Sequence, residues 1–534
     1  MGRSPPCLRH SRRFIRRQSE NEGTPFVGSV RASSLIPVPL GCLRVQLYEF
    51  FRFCPHTVFQ KRVGKRSFFA DFFNFFEKFG WENRVGSHSG RALIMKKLFS
   101  LIFVLILTLG AFVGCDRSPL DPKNPVTLTM WHNYGGDMQT TMDLLIDQFN
   151  STVGKEKGIV INVTAISSSS ELNKSLTMIV NNDPGAPDIP DIFTGYPKIG
   201  IQFYEKGLLA DLDTYFSEKE LDSYIDAFVE EGRIGDGGLY VFPIAKSTEV
   251  LYVNQTLFDR FAAETGASAD KFSTFEGICE LSQMYYEWSG GKQFYGADSW
   301  FNFAEVGMAQ LGGSIFDGEA LSLDGEKYAH IFRAVYTPAV EGGIAIYDGY
   351  SSDLSKTGDL VCSTGSSAGI LFYGDTITYA DGTVENVEYS ILPYPVFEGG
   401  TKTALQRGGG LMVAKSDEKN EYAASEFIKW LTAPEQNMKF VGKTGYLPVT
   451  KKAFEEDMDT YLETLEDERI IKMLTSVLAM YDDYTFFSAP TYADFDSDSD
   501  AYEDSFKKIL KDEMAKHQSG ETVSAESALA QMIK

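Results

Sequence analysis

VTLTMW, Val126 to Trp131, alternates apolar and polar residues, the period-two pattern of a strand with one buried face. Just beyond it, Met138, Met142, Leu145, Ile146 and Phe149 recur at helical spacing and predict a helix with a single apolar stripe. GIVINVTAI, Gly158 to Ile166, reads as a second strand. SSSSELNKSLTMIV then opens a helix, with Ser168 and Glu171 in the Ser-x-x-Glu capping pattern. DIPDIF starts a third strand. Strands and helices in this alternation predict a mostly parallel sheet covered on both faces. Ligands of such sheets sit outside the carboxyl ends of the strands, so the loops WHNYGG, SSSSE and TGYP are expected to converge.

Upstream of the first strand the pattern changes completely. Met95-Lys96-Lys97 precedes an almost uninterrupted apolar run from Leu98 to Val113, followed by Gly114, Cys115 and a polar, Pro-rich stretch. A basic head, a greasy middle and a small residue before the cut describe a bacterial export signal. The run falls short of the roughly 20 residues that a spanning helix needs. Cys115 after Val113-Gly114 resembles the lipobox of bacterial lipoproteins, whose Cys thiol receives a diacylglycerol. Phe112 departs from that pattern, which usually has Leu there. An uncleaved membrane anchor is the competing reading, and both place the remainder of the chain outside the cytoplasm.

Charge divides the chain at the same place. Residues 1–94 hold 16 Lys+Arg against 6 Asp+Glu, and the remainder holds 34 against 67. A basic leader ahead of an export signal has no evident use, so translation is expected to start at Met95, with 1–94 a spurious extension. The chain from Cys115 onward, 420 residues, is too long for one compact core and suits two lobes. Its acidity argues against nucleic acid or an anionic membrane surface as partner. Cys279 and Cys362 could form a disulfide or stay as two thiols. His132, His330 and His517 lie far apart, so no transition-metal site is indicated, and no cofactor is expected.

VFPIAKSTEVLYVNQTLFDRF, EFIKWLTAPEQNMKFV and GKTGYLPVTKKAF resemble signature segments of the extracellular solute-binding proteins of bacterial ABC importers. Trp131-His132 and LPYPVF (Leu392 to Phe397) extend the resemblance over most of the chain, and its nearest branch takes sugars and glycerol-3-phosphate. The resemblance implies a type II periplasmic-binding-protein-like fold: two α/β lobes, a hinge and a ligand cleft between them. Carried onto this sequence, lobe one covers 126–248 and 397–446, and lobe two 249–396 and 447–534. Crossings fall near Glu249, Val396 and Tyr446, and residues 115–125 form a tether behind a signal peptide at 95–114. Permease subunits are the implied protein partners of a monomeric protein that a lipid on Cys115 holds at the cell membrane.

A cleft for sugars wants aromatic platforms and paired hydrogen-bonding groups. Loop position selects Tyr134, Ser170, Glu171, Tyr196, Ser247, Glu249, Trp300, Phe301, Ser366, Ser367, Gly409, Gly410 and Tyr446. The resemblance best supports Ser247, Ser366, Gly409 and Tyr446. Glycerol-3-phosphate binders of this family use an arginine in the C-terminal region, where this chain reads SAPTYADFDSDSDAYED without any Arg or Lys. Ser170 and Pro197 also stand where that branch has Tyr and Glu. A phosphate beside so acidic a stretch is repelled, so a neutral mono- or oligosaccharide is the expected ligand.

Other chemistries fit less well. Gly365 to Gly369 matches G-x-S-x-G, which suggests a secreted serine hydrolase using Ser367 and His517. No HGGG-type oxyanion loop precedes it, however. Asp494, Asp496, Asp498 and Asp500 alternate like a calcium loop but lack its Gly, and Ser505 replaces the closing Glu. GKTG at Gly442 is no P-loop, because Asn437 stands where the first Gly belongs. A protein that presents its ligand to a sensor would share the fold.

Overall fold

The structure, a computed structural model, describes residues 118–533 apart from 167, 319, 324 and 493. The leader, the export signal and Cys115 lie outside the described residues. From residue 118 onward the chain builds two large sheets and three two-stranded ones. β1 (Val126–His132) buries Val126, Leu128 and Met130 and exposes Thr127 and Thr129, the alternation that the sequence predicts. α1 (Gly136–Ser151) buries Met142, Leu145, Ile146 and Phe149. β2 (Ile159–Ala165) leads to α2 (Ser169–Asn181), whose first turn is capped where Ser168 Oγ accepts the Glu171 N–H at 3.2 Å. β3 (Ile192–Gly195) turns into α3 (Pro197–Glu205), with Pro at the first helical position, where no donor is lost. β4 (Phe242–Pro243) closes this run.

The remaining elements are β5 (Ser247–Asn254), β6 (Tyr295–Ala297), α4 (Trp300–Gln310), β7 (Ile344–Ala345), β8 (Cys362–Ser366), β9 (Tyr389–Pro393) and β10 (Thr403–Arg407). They continue with β11 (Gly410–Val413), α5 (Glu418–Leu431), α6 (Pro434–Thr444), β12 (Thr485–Ser488) and α7 (Phe495–Gln518), among further helices that include Phe275–Ser289, Glu326–Glu341 and Glu468–Asp483. The first sheet runs β2-β1-β3-β11-β4, with β1 parallel to both neighbours and β11 antiparallel to β3 and β4. The second runs β7-β6-β8-β5-β10-β12, and β9 also pairs with β5. One apolar cluster joins β1 to α1, α5 and α6, and another fills the opposite face of the first sheet under α2 and α3. A third, rich in aromatic rings, packs the second sheet. Both sheets are thus sandwiched between helices, as the pattern requires.

The chain passes between the sheets at 244–246, at Gly408–Gly409 and near Leu447. The second passage lies well beyond the expected position near Val396. Its reason is β10, assigned from sequence to lobe one, which pairs with β5 through Gln406↔Thr248 and Arg407↔Ser247 and runs parallel to β12. Gly408 has φ +101°, and a Cβ there would meet the Ala245 carbonyl oxygen at 2.6 Å, so the passage is closed to larger residues.

Lys246 ties the three passages together. Its backbone exchanges hydrogen bonds with Leu447 (3.2 and 2.6 Å), and its ammonium donates to the Gly408 carbonyl at 3.0 Å. The same ammonium pairs with Glu231 at 3.0 Å, with both side chains under a tenth exposed. Removing one partner of such a pair strands a buried charge. Lys246→Met is expected to cost about 3–5 kcal/mol by urea unfolding, more than the loss of a surface ion pair.

Candidate ligand site at the strand ends

A cavity opens where β1 and β3 end and α2 begins, the position that the topology reserves for ligands. Asn133 and Tyr134 follow β1, Gly195 closes β3, Tyr196 follows it, and Leu172 and Asn173 come from the first turns of α2. Thr194, Gly409 and Tyr446 complete the lining. Tyr134 is held edge-on by Phe440 at 5.0 Å and by Tyr446 at 6.1 Å, and Tyr446 stacks on Phe440. Burial raises the Tyr134 and Tyr446 phenols above their ordinary value, so both stay neutral and can donate as well as accept. A Cβ on Gly409 would stand 2.9 Å from the Gly195 carbonyl oxygen, which explains a glycine there.

A buried polar cluster lies beside this cavity, on the second sheet. Glu249, about 2 % exposed, accepts from Arg407 Nη1 at 2.7 Å and from Asn302 Nδ2 at 2.8 Å. Burial disfavours the Arg407 cation, but Glu249 and the neighbouring Tyr196, Asp298 and Tyr446 keep it above the usual guanidinium value. Arg407 therefore links the cluster to two rings of the cavity wall. Burial also raises the Asp298 carboxyl, which accepts the Ser351 N–H at 2.8 Å. Glu305, one turn beyond Asn302 on α4, has both carboxyl oxygens buried and without a hydrogen-bond partner. Burial, reinforced by Glu249, pushes its carboxyl up to about 8.

Of the residues selected from sequence, Tyr134, Tyr196, Gly409 and Tyr446 line the cavity. Ser170 and Glu171 lie exposed beside it at the start of α2. Ser247, Glu249 and Ser366 belong to the polar cluster side, where Ser366 Oγ donates to Ser247 Oγ at 3.4 Å. Trp300 and Phe301 are corrections: both are core residues. Trp300 is fully buried and stacks on Phe506, while Phe301 packs edge-on against Phe495 and Tyr502. Gly410 is a packing position in β11, where a Cβ would stand 2.5 Å from the Phe242 carbonyl oxygen. Ser367 is fully buried, and its Oγ accepts the Thr248 N–H at 3.3 Å. That leaves no exposed nucleophile at the G-x-S-x-G turn, and His517 lies exposed in the last turn of α7. Asp496, Asp498 and Asp500 sit in the first turns of α7, so they form a helix start and not a metal-binding loop. Cys279 and Cys362 are both free, buried thiols.

Arg407, Asn302 and Glu305 escaped the sequence reading. Only Arg407 carried a signal, as the cation flanking the glycine run QRGGG.

Two sheets with the chain crossing between them three times, and a pocket at the strand ends of the first, define a two-lobed α/β protein of the ligand-binding kind. The model of the bacterial extracellular solute-binding protein family matches residues 145–464, and the chain belongs to that family. It is 23% identical over 377 residues to the sn-glycerol-3-phosphate-binding periplasmic protein UgpB of Brucella suis, covering 66% of this chain and 82% of that one. Its fold is similar to that of the cyclic alpha-maltosyl-1,6-maltose binding protein from Arthrobacter globiformis (TM-score 0.60, 20% identity, 77% of this chain and 97% of that one). UgpB from Mycobacterium tuberculosis, in complex with glycerophosphocholine, is similar too (TM-score 0.59, 16% identity, 77% of this chain and 100% of that one). The two-lobed α/β expectation holds, and the family places the protein outside the cytoplasm.

Glu305 makes stability depend on pH. Its carboxyl is raised from 4.5 to about 8 on folding, so the folded state holds a proton that the unfolded chain releases. The stabilisation is complete below about pH 4.5 and is lost as pH rises through 8, at on the order of 1 kcal/mol per unit within that window. Glu305→Gln removes the linkage. Urea melts at pH 5 and pH 7.5 are expected to show wild type losing stability relative to the variant as pH rises.

Proposed function

We propose that this chain is the extracytoplasmic receptor of an ABC importer, capturing a carbohydrate between two lobes and delivering it to the permease. The observation that carries the reading is the tyrosine set, Tyr134, Tyr196 and Tyr446, around a cavity at the strand ends. Phenol rings offer flat apolar faces to a sugar ring and hydroxyls to its rim. The two lobes are built on the two sheets, with the passages at 244–246, Gly408–Gly409 and Leu447 as the hinge. Opening admits the solute, closure buries it, and the closed form is what the permease selects. Diacylglyceryl modification of Cys115 tethers the monomeric protein to the membrane, and its mechanism involves no covalent change in the solute.

Arg407 favours a second reading, a glycerophosphate ester, the ligand type named for the relatives. The carbohydrate reading is the stronger because Glu249 already holds Nη1 of that arginine and Asp298 and Glu305 stand beside the pair. An anion there finds the guanidinium already paired.

Thermal-shift measurements against maltose, maltotriose, cellobiose, xylobiose, glycerol-3-phosphate and glycerophosphocholine separate the two. A neutral sugar is expected to stabilise the fold by about 2.7 kcal/mol at a hundredfold excess over its dissociation constant. Tyr446→Ala is expected to weaken that sugar at least about tenfold, the loss of one aromatic platform. A shift with the phosphate esters alone would transfer the assignment to them.

A further inference from the structure

The buried face of β1 ends on an imidazole. Val126, Leu128 and Met130 fill alternate positions of the strand, and His132, fully buried, takes the next one. Its Nε2 has no hydrogen-bond partner among the described residues, and Asp143 Oδ1 of α1 lies 3.8 Å away, beyond bonding range. An apolar side chain would fill the same core position without leaving a polar atom unpaired. The fold alone therefore does not account for a histidine there.

The other ring nitrogen does account for it. Nδ1 accepts the backbone N–H of Tyr134 at 3.3 Å. A nitrogen that accepts a hydrogen bond carries no proton, so the neutral ring keeps its proton on Nε2, which is how the unpaired atom arises. Burial holds the imidazole below its ordinary pKa, against the pull of Asp143. Tyr134 is a wall of the strand-end cavity, and its ring lies 5.4 Å from the imidazole. Beyond Tyr134 the chain enters α1 through Gly135 and Gly136, the second with φ +58°, and Gly135 has no side chain to cap the helix. The imidazole thus fixes Tyr134 by its backbone just ahead of two residues that leave the chain unusually free.

We propose that His132 is a positioning residue of the solute site: in its Nε2–H form it fixes the Tyr134 backbone, and through it the ring that the cavity presents to a solute. This rests on the reading of that cavity as the solute site. His132 does not line the cavity and acts only through Tyr134. Asn is the side chain that can take over this bond, because an Asn that accepts the N–H two residues further on forms the ordinary Asx turn. Leu continues the apolar series of β1 but accepts nothing.

The test compares His132→Leu with His132→Asn in the purified full chain. Both are melted without solute and titrated by calorimetry with maltose, maltotriose, cellobiose, xylobiose, glycerol-3-phosphate and glycerophosphocholine. A purely structural His132 makes Leu the better replacement on both counts, since it fills the core. Positioning separates the two readouts. Leu is expected to melt no lower than Asn and yet to bind the wild-type solute at least about fivefold more weakly than wild type, while Asn stays within about twofold. Binding by His132→Leu at wild-type strength overturns the proposal, and so does an Asn variant that binds no better than Leu. Nitrogen NMR spectra of the unliganded wild type are expected to show the Nε2–H form, and an Nδ1–H or doubly protonated ring at neutral pH overturns the proposal too. If wild type binds none of these solutes, the reading of the site fails. The spectra and the exchange protection of the Tyr134 amide, kept by Asn and lost by Leu, then still decide whether His132 holds Tyr134.

Discussion

Three passages of the chain between two sheets converge on one buried lysine, Lys246. Lys246 has only the Gly408 carbonyl and Glu231 to replace its water, and its backbone is bridged to Leu447. Glu231 in turn accepts from Gln406 of β10, so the crossing strand is held from its side chain too. Desolvating a charge is tolerable when partners replace its water, and here Gly408 supplies one from a crossing segment and Glu231 the other from the first half. The geometry of the cleft follows from that bookkeeping, because Gly408 and Tyr446 flank the same knot.

From this knot β5 carries the second half. All eight of its residues are buried, so both edges must be paired along their length. β8 takes one edge from Glu249 to Val253, while β9 and β10 share the other. Glu249 is the strand's one acidic residue, and Arg407 across the sheet and Asn302 from the helix donate to it. The polar wall of the site is therefore a by-product of how a central strand accommodates a charge.

The first sheet was legible in the sequence because each element there buries one face. The stripe Met142, Leu145, Ile146, Phe149 and the alternation in VTLTMW survive as local patterns whatever lies beyond them. The second half was harder. Trp300 and Phe301 end a loop in sequence, and an aromatic residue there looks the same whether it stacks on Phe506 or on a ligand. Arg407 finds its meaning in Glu249, far away in the chain, and Glu305 finds its meaning in having no partner at all. Neither relation leaves a periodicity. β10 joins the second sheet against the sequence expectation for the same reason: a strand's apolar face does not say which neighbour it pairs with.

The interleaving of the halves has a consequence for the order in which the protein can mature. The first sheet has β11 between β3 and β4, and α5 and α6 cover its face, so this half stays incomplete until residue 444 has emerged. The second lacks an edge until β12 arrives at Thr485. A polypeptide threaded across a membrane from its N-terminal end therefore exposes β1, β2 and β3 as an unfinished, sticky surface for most of its passage. Neither half can set early and wait for the other, and such long-range pairing is slow to close. The crossings that join the two halves are thus also what keeps both of them unfinished until late in the chain.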